Sequence, residues 1–101
     1  MQVIDPTKML TGSALRELIL WCIDGGGRMV MDDHDGEDRM EERSVTGAEI
    51  LGALRSGSLQ PASAPQGNWR YIARRNDVEV VFTFDVDDEG NTLIIITVIR
   101  R

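Results

Sequence analysis

Apolar residues recur at three- and four-residue spacing between positions 14 and 23, which predicts a helix with one buried face. The stripe consists of Leu15, Leu18, Ile19 and Cys22. Three consecutive glycines at 25–27 predict the end of this helix. The residues that follow, 28–31, predict either a short strand or an extended link.

A second helix is predicted over residues 47–55. Thr46 and Glu49 have the three-residue spacing of a capping box, and Ser56-Gly57 supplies an ending. Between the two helices, residues 32–42 are so polar that a helix there would lie at the periphery. The chain therefore has two or three helices.

The last third of the chain predicts three consecutive strands, over 69–73, 78–85 and 93–99. Asn76-Asp77 predicts a turn, and the acidic stretch 87–91 predicts a hairpin loop. The third strand is apolar on both faces, which is typical of an interior strand. These elements predict an α+β fold, with the helices packed on one face of a small, mainly antiparallel sheet.

The length of 101 residues predicts a single α+β domain spanning residues 1–101. Residues 1–10 are interpreted as an N-terminal extension and residues 58–68 as an exposed loop. The longest apolar run, Leu93 to Ile96, is too short to cross a bilayer, and the first residues lack the pattern of a signal peptide. A cytoplasmic location is therefore expected.

The net charge of −6, from 17 acidic and 11 basic residues, bears on the class of partner. Proteins that hold nucleic acid gain affinity by neutralising phosphates with Lys and Arg, so the overall charge opposes such a partner. Arginines concentrate at 70–75 and 100–101, which leaves a local basic patch open. The acidic residues within 32–42 alternatively predict a surface for a protein partner.

Two acidic segments partly match a calcium-binding loop. In the first, the leading ligand position falls on Met31, and in the second, which starts at Asp85, the twelfth position falls on Ile96. Each therefore lacks a required carboxylate. We expect solvated acidic surface at both segments, and neither a metal nor a cofactor.

His34 is the only histidine, and its acidic neighbours favour the protonated form. Asp35, Arg39 and Arg43 would line up at four-residue steps on a helix. Surface ion pairing and cationic contacts to a phosphate or a carboxylate both account for this row. The sequence leaves the two interpretations open.

A strip of basic and aromatic residues begins the predicted sheet and would suit RNA. It consists of Trp69, Arg70, Tyr71, Arg74 and Arg75. Strand alternation, however, puts Trp69 and Tyr71 on the opposite side from Arg70 and Arg74.

Four segments of the chain resemble the bacterial domain-of-unknown-function family 4258. They are residues 38–46, the helix through Gly57, the strand at 68–71 and the ending at 95–99, and the resemblance runs from about Gly25 to the end. That family is similar in fold to the RelE and MqsR toxins, and its members are often encoded beside a zinc-finger antitoxin of the YgiT kind. The resemblance implies a RelE-like fold and a small ribonuclease-like domain that an antitoxin protein neutralises.

Arg39 and Arg43 match the arginines of the family's motif, whereas the position of its histidine falls on Asp35, one residue after His34. The leading hypothesis is a toxin component that acts on RNA as a metal-independent endoribonuclease. Its predicted catalytic residues are His34, Arg39, Arg43, Arg70 and Tyr71.

Two alternatives to the toxin hypothesis remain. The first is a non-catalytic interaction module whose acidic surface binds a protein partner. The second is a homodimer formed through the apolar edge of the sheet.

Overall fold

The computed structural model describes residues 2–31, 45–64 and 67–101, which form two helices and a five-stranded sheet. The helices are α1 (Gly12–Asp24) and α2 (Gly47–Ser56), and the strands are β1 (Arg28–Met31), β2 (Ser58–Ser63), β3 (Arg70–Arg75), β4 (Val78–Asp87) and β5 (Gly90–Arg100). The strand order is β1-β5-β4-β3-β2. Neither of these helices is long and apolar enough to cross a membrane.

The fold is α+β, but the predicted RelE-like arrangement of helices on a mainly antiparallel sheet is wrong. The sheet is mixed, because β1 pairs in parallel with β5, with Arg28 beside Thr92 and Met31 beside Ile95. The sequence left residues 28–31 open between a strand and a link, since four residues carry too little periodicity to decide. The peripheral helix predicted over 32–42 lies outside the described residues.

The predicted loop at 58–68 contains an edge strand instead. β2 pairs antiparallel with β3, and the register shifts between Pro61 and Ser63. Its sequence is polar and contains a proline, which a strand tolerates only at an edge or a bulge. Such a strand shows no alternation of its own and depends on its pairing with β3.

The predicted helices α1 and α2 and the three consecutive strands are confirmed, whereas the hairpin loop predicted over 87–91 is shorter, since β4 runs to Asp87 and β5 starts at Gly90. The strands β3, β4 and β5 follow one another in antiparallel pairs, and β5 lies inside the sheet between β4 and β1. The capping box at the start of α2 is formed: the backbone N–H of Glu49 donates to Thr46 Oγ1 over 3.1 Å, and the N–H of Thr46 donates to Glu49 Oε1 over 3.2 Å.

The triple glycine ends α1 as predicted, and it also allows the chain to pass flat against a tryptophan. The N–H of Gly25 donates to the carbonyl of Trp21 over 3.0 Å. A Cβ at Gly25 or Gly26 would lie 2.7 Å from a ring carbon of Trp21, and one at Gly27 would lie 2.9 Å away. Glycine is therefore the residue that lets β1 start immediately after the helix.

The core lies between the two helices and one face of the sheet. Its largest fully buried side chains are Tyr71, Phe82, Phe84, Leu15, Leu18, Ile19, Leu54, Leu93, Ile95, Val80 and Val98. The N-terminal residues, expected to be an extension, are bound to the domain, since Asn91 accepts from the N–H of Ile4 and donates to the carbonyl of Gln2. This segment therefore covers one end of the core.

Candidate interaction surface

Tyr71, one of the predicted catalytic residues, is part of the hydrophobic core. Its side chain is 1% exposed and its ring stacks on Phe82 with 5.6 Å between the centroids. Its hydroxyl oxygen accepts a hydrogen bond of 2.9 Å from the backbone N–H of Leu10. Burial raises the pKa of the phenol, so Tyr71 stays protonated at neutral pH and anchors the N-terminal segment.

Arg70 extends from the other side of β3 into solvent, as strand alternation predicts. Its side chain makes no hydrogen bond or ion pair with any of the described residues. The two predicted site residues that can be located therefore do not meet on a common surface. His34, Arg39 and Arg43 lie outside the described residues, so the proposed catalytic set stays a prediction.

Replacing Tyr71 by phenylalanine should lower the free energy of unfolding by about 1 kcal/mol, because it removes the acceptor for a partly buried N–H while keeping the ring. The amide of Leu10 should exchange its hydrogen faster in the variant. Urea unfolding and amide hydrogen exchange measure the two effects. An unchanged exchange rate at Leu10 would contradict the anchoring role.

The single cysteine is also a core residue, as its place in the helical stripe predicts. Cys22 is 3% exposed and its thiol points at the carbonyl of Asn91, with 3.9 Å between sulfur and oxygen. Burial raises its pKa to about 11, so the thiol stays protonated. Among residues 2–31, 45–64 and 67–101, no group of three His, Cys, Asp or Glu side chains is placed to hold a metal.

A group of aliphatic side chains lies on the side of the sheet that faces away from both helices, here called the open face. Strand register places five aliphatic side chains on it: Val30 of β1, Ile94 and Ile99 of β5, Val81 of β4 and Ile72 of β3. Val30 is 37% exposed and the other four are half-buried. Four strands thus contribute aliphatic side chains to this face, with Thr83 and Thr97 lying between them.

A charged cluster borders the open face at the end nearest the β3–β4 turn. The carboxylate of Glu79, whose side chain is 3% exposed, accepts hydrogen bonds from Arg74 Nε over 2.7 Å and from Arg101 NH2 over 3.1 Å. These hydrogen bonds, that of Arg101 first, lower the pKa of Glu79 against the opposing effect of burial. The two guanidinium groups remain partly exposed and form a polar rim.

Neither the open face nor the role of Glu79 was predicted from the sequence. In the sequence of β4, Val80 and Phe82 alternate with mostly polar neighbours, which is the pattern of a strand with one face on a core. Val81 interrupts this polar side and was the one residue of β4 that indicated an apolar surface there. A single valine does not predict such a surface, because Ile72, Ile94 and Ile99 come from the neighbouring strands.

No protein-family model matches this sequence, and no curated protein matches it either. Membership of family 4258 therefore stays a prediction, as do the RNA and antitoxin partners that follow from it.

Proposed function

We propose that this protein is a non-catalytic module that binds a protein partner through its open face. The observation that carries the proposal is the aliphatic surface that Val30, Ile72, Val81, Ile94 and Ile99 form together. An apolar surface with a polar border is typical of a protein-binding site. The arginines around Glu79 supply that border.

The charge of the molecule favours a basic partner. Its net charge of −6 attracts a positively charged protein and accelerates the encounter. Exposed carboxylates lie near the open face in the β4–β5 hairpin, where Arg28 bridges Asp87 and Glu89 at 3.1 and 2.8 Å. We expect apolar contact to provide most of the binding affinity. Charge attraction should mainly raise the association rate.

The placement of the aromatic side chains favours a protein partner over RNA. Single-stranded RNA gains affinity by stacking its bases on exposed aromatic rings. The chain has two tryptophans, one tyrosine and two phenylalanines. Tyr71, Phe82 and Phe84 are buried, and Trp21 and Trp69 pack against the same core. None of the five is left as a stacking platform on the open face.

Replacing Val30 by glutamate should weaken binding of the partner at least about tenfold, because a charge would then be buried in an apolar interface. Leu20→Glu is the matched control. Leu20 is 36% exposed against 37% for Val30, receives the same charge and lies on α1, away from the open face. The partner would be captured from a lysate of the source cells, purified and titrated against both variants.

Three outcomes would contradict or redirect the proposal. Equal loss of binding in the Val30 and Leu20 variants would show that added charge, not the open face, controls the interaction. Cleavage of purified RNA by the natural protein would contradict a non-catalytic role and support the toxin hypothesis. Sedimentation at rising protein concentration identifies a second copy as the partner, the outcome that the homodimer alternative predicts.

A further inference from the structure

A small cleft separates the first turn of α2 from the β3–β4 turn. It has a volume of about 260 Å³ and is lined by Ala48, Glu49, Arg75, Asn76 and Val78. Arg75 lies one residue after Arg74, so its side chain extends to the helix side of the sheet. A ligand in this cleft would therefore leave the open face uncovered.

Two side chains that line the cleft can donate hydrogen bonds to a ligand. The side chains of Arg75 and Asn76 make no hydrogen bond or ion pair within the part of the chain that the structure describes. The carboxylate of Glu49 does not neutralise Arg75, because its oxygens accept from Arg100 NH2 over 2.6 Å and from the N–H of Thr46 over 3.2 Å. The positive charge of Arg75 is therefore available to an anion.

The guanidinium of Arg75 lies against α2 at a point where the helix has no side chain. A Cβ added at Gly52 would come within 2.6 Å of Arg75 NH1. Glycine in a helix interior costs stability relative to alanine, so its presence here calls for a local reason. With no Cβ at Gly52, Arg75 NH1 lies against α2 one turn from Ala48, a residue that lines the cleft.

We propose that this cleft binds a carboxylate that carries a small apolar group. The planar guanidinium matches a carboxylate with two parallel hydrogen bonds, and the amide of Asn76 supplies a further donor. Ala48 and the buried Val78 provide apolar contact for the neighbouring carbon atoms. A doubly charged phosphate is disfavoured, because among the described residues one unpaired cation lines the cleft, and the molecule carries a net charge of −6.

Titration of the isotope-labelled protein, followed by NMR of the arginine Nε–Hε and backbone amide signals, tests the proposal. The probes are N-acetyl-L-alanine, with a terminal carboxylate, and the α-amide of N-acetyl-L-aspartate, with a side-chain carboxylate. N-acetyl-L-alaninamide is the neutral control, and inorganic phosphate tests the other anion class. We expect saturable shifts at Arg75, Asn76 and Ala48 with at least one carboxylate and none with the neutral amide.

Arg75→Gln should weaken carboxylate binding at least about tenfold, because the charge-assisted hydrogen bonds are lost. Arg70→Gln is the matched control. Arg70 is also an exposed arginine of β3 whose side chain has no partner among the described residues, but it lies on the open face. It should change the affinity less than about twofold. Gly52→Ala keeps every charge and displaces the Arg75 guanidinium, so it should weaken binding without lowering stability.

The relative response to the two carboxylates identifies the source of the group, a chain terminus or an acidic side chain. Equal affinities in the Arg75 and Arg70 variants would overturn the proposal, as would shifts that never saturate. Saturable binding of phosphate with no response to either carboxylate would overturn the assigned ligand class. Retained affinity in Gly52→Ala would contradict the positioning role of the glycine.

Discussion

Replacing Gly57 by alanine should lower the free energy of unfolding by about 3 kcal/mol. Gly57 follows α2 directly, and its N–H donates to the carbonyl of Ala53 over 2.8 Å. A Cβ at this position would lie 2.5 Å from the oxygen of Ala53 and 2.6 Å from the oxygen of Arg74. Both contacts are to backbone, so either α2 or β3 must move to relieve them.

Gly47→Ala is the matched control for this variant. Gly47 is the first residue of α2, and a Cβ there would meet nothing within 4 Å. The control should be unchanged or more stable by up to about 1 kcal/mol, because alanine reduces the freedom of the unfolded chain. Urea unfolding followed by circular dichroism compares the two. If the free energies of unfolding of the two variants differ by less than about 0.5 kcal/mol, the backbone around Gly57 adjusts easily to the added methyl group.

Gly57 also illustrates what the sequence could and could not predict. The pair Ser56-Gly57 after a helical pattern predicted the end of α2, and the helix ends at Ser56. The same residues did not predict that the backbone of β3 packs against Gly57. Local signals such as the Thr46–Glu49 capping box were predictable because all their partners lie within one turn. The contact between Gly57 and Arg74 was not predictable, because it depends on how a later strand packs against the end of α2.

The apolar pattern of β5 has a second cause besides its interior position. Between the pairs Val81–Thr97 and Phe82–Ile95, β5 contains one residue more than β4, which is Ile96. This bulge changes the phase of the alternation, so that Ile95 before it and Val98 after it both face the core. A strand with such a phase change has apolar residues at odd and even positions, which the sequence alone presents as burial on both faces.

The two candidate sites could not be predicted, because no single element contains either of them. The open face takes one or two aliphatic residues from each of four strands, and the position of β1 beside β5 was itself unpredicted. The cleft joins Ala48 of α2 to Arg75 and Asn76 at the end of β3. A glycine within a helix, Gly52, was a visible anomaly, but its partner Arg75 is known only from the packing.

Replacing Glu79 by glutamine should lower the free energy of unfolding at neutral pH by about 2 kcal/mol. The carboxylate is buried and accepts hydrogen bonds from two arginines, with Arg101 Nε also 3.0 Å from its Oε1. Glutamine keeps the shape of the side chain but removes the charge and turns an acceptor into a donor. That donor would face guanidinium groups, which only donate.

The loss of unfolding free energy caused by Glu79→Gln should depend on pH in a defined direction. The folded-state pKa of Glu79 is lowered, first by the hydrogen bond from Arg101. The stabilisation is therefore fully present above the pKa of the unfolded chain, about 4.3, and is lost as the pH falls through the lower folded-state value. The difference in unfolding free energy between the natural protein and Glu79→Gln should stay constant from neutral pH to about 5.5 and shrink below about 4.3.

Glu89→Gln distinguishes this buried carboxylate from an exposed one. The side chain of Glu89 is 71% exposed and pairs with Arg28 at 2.8 Å, so both variants remove one negative charge from an ion pair with arginine. Glu89→Gln should lower the free energy of unfolding by less than about 1 kcal/mol, because solvent screens the ion pair. Similar losses and similar pH profiles for the two variants would mean that the arginines around Glu79 open easily to solvent. A large effect confined to Glu79 would instead establish a rigid charged border beside the open face, with Arg74 and Arg101 held in place before a partner arrives.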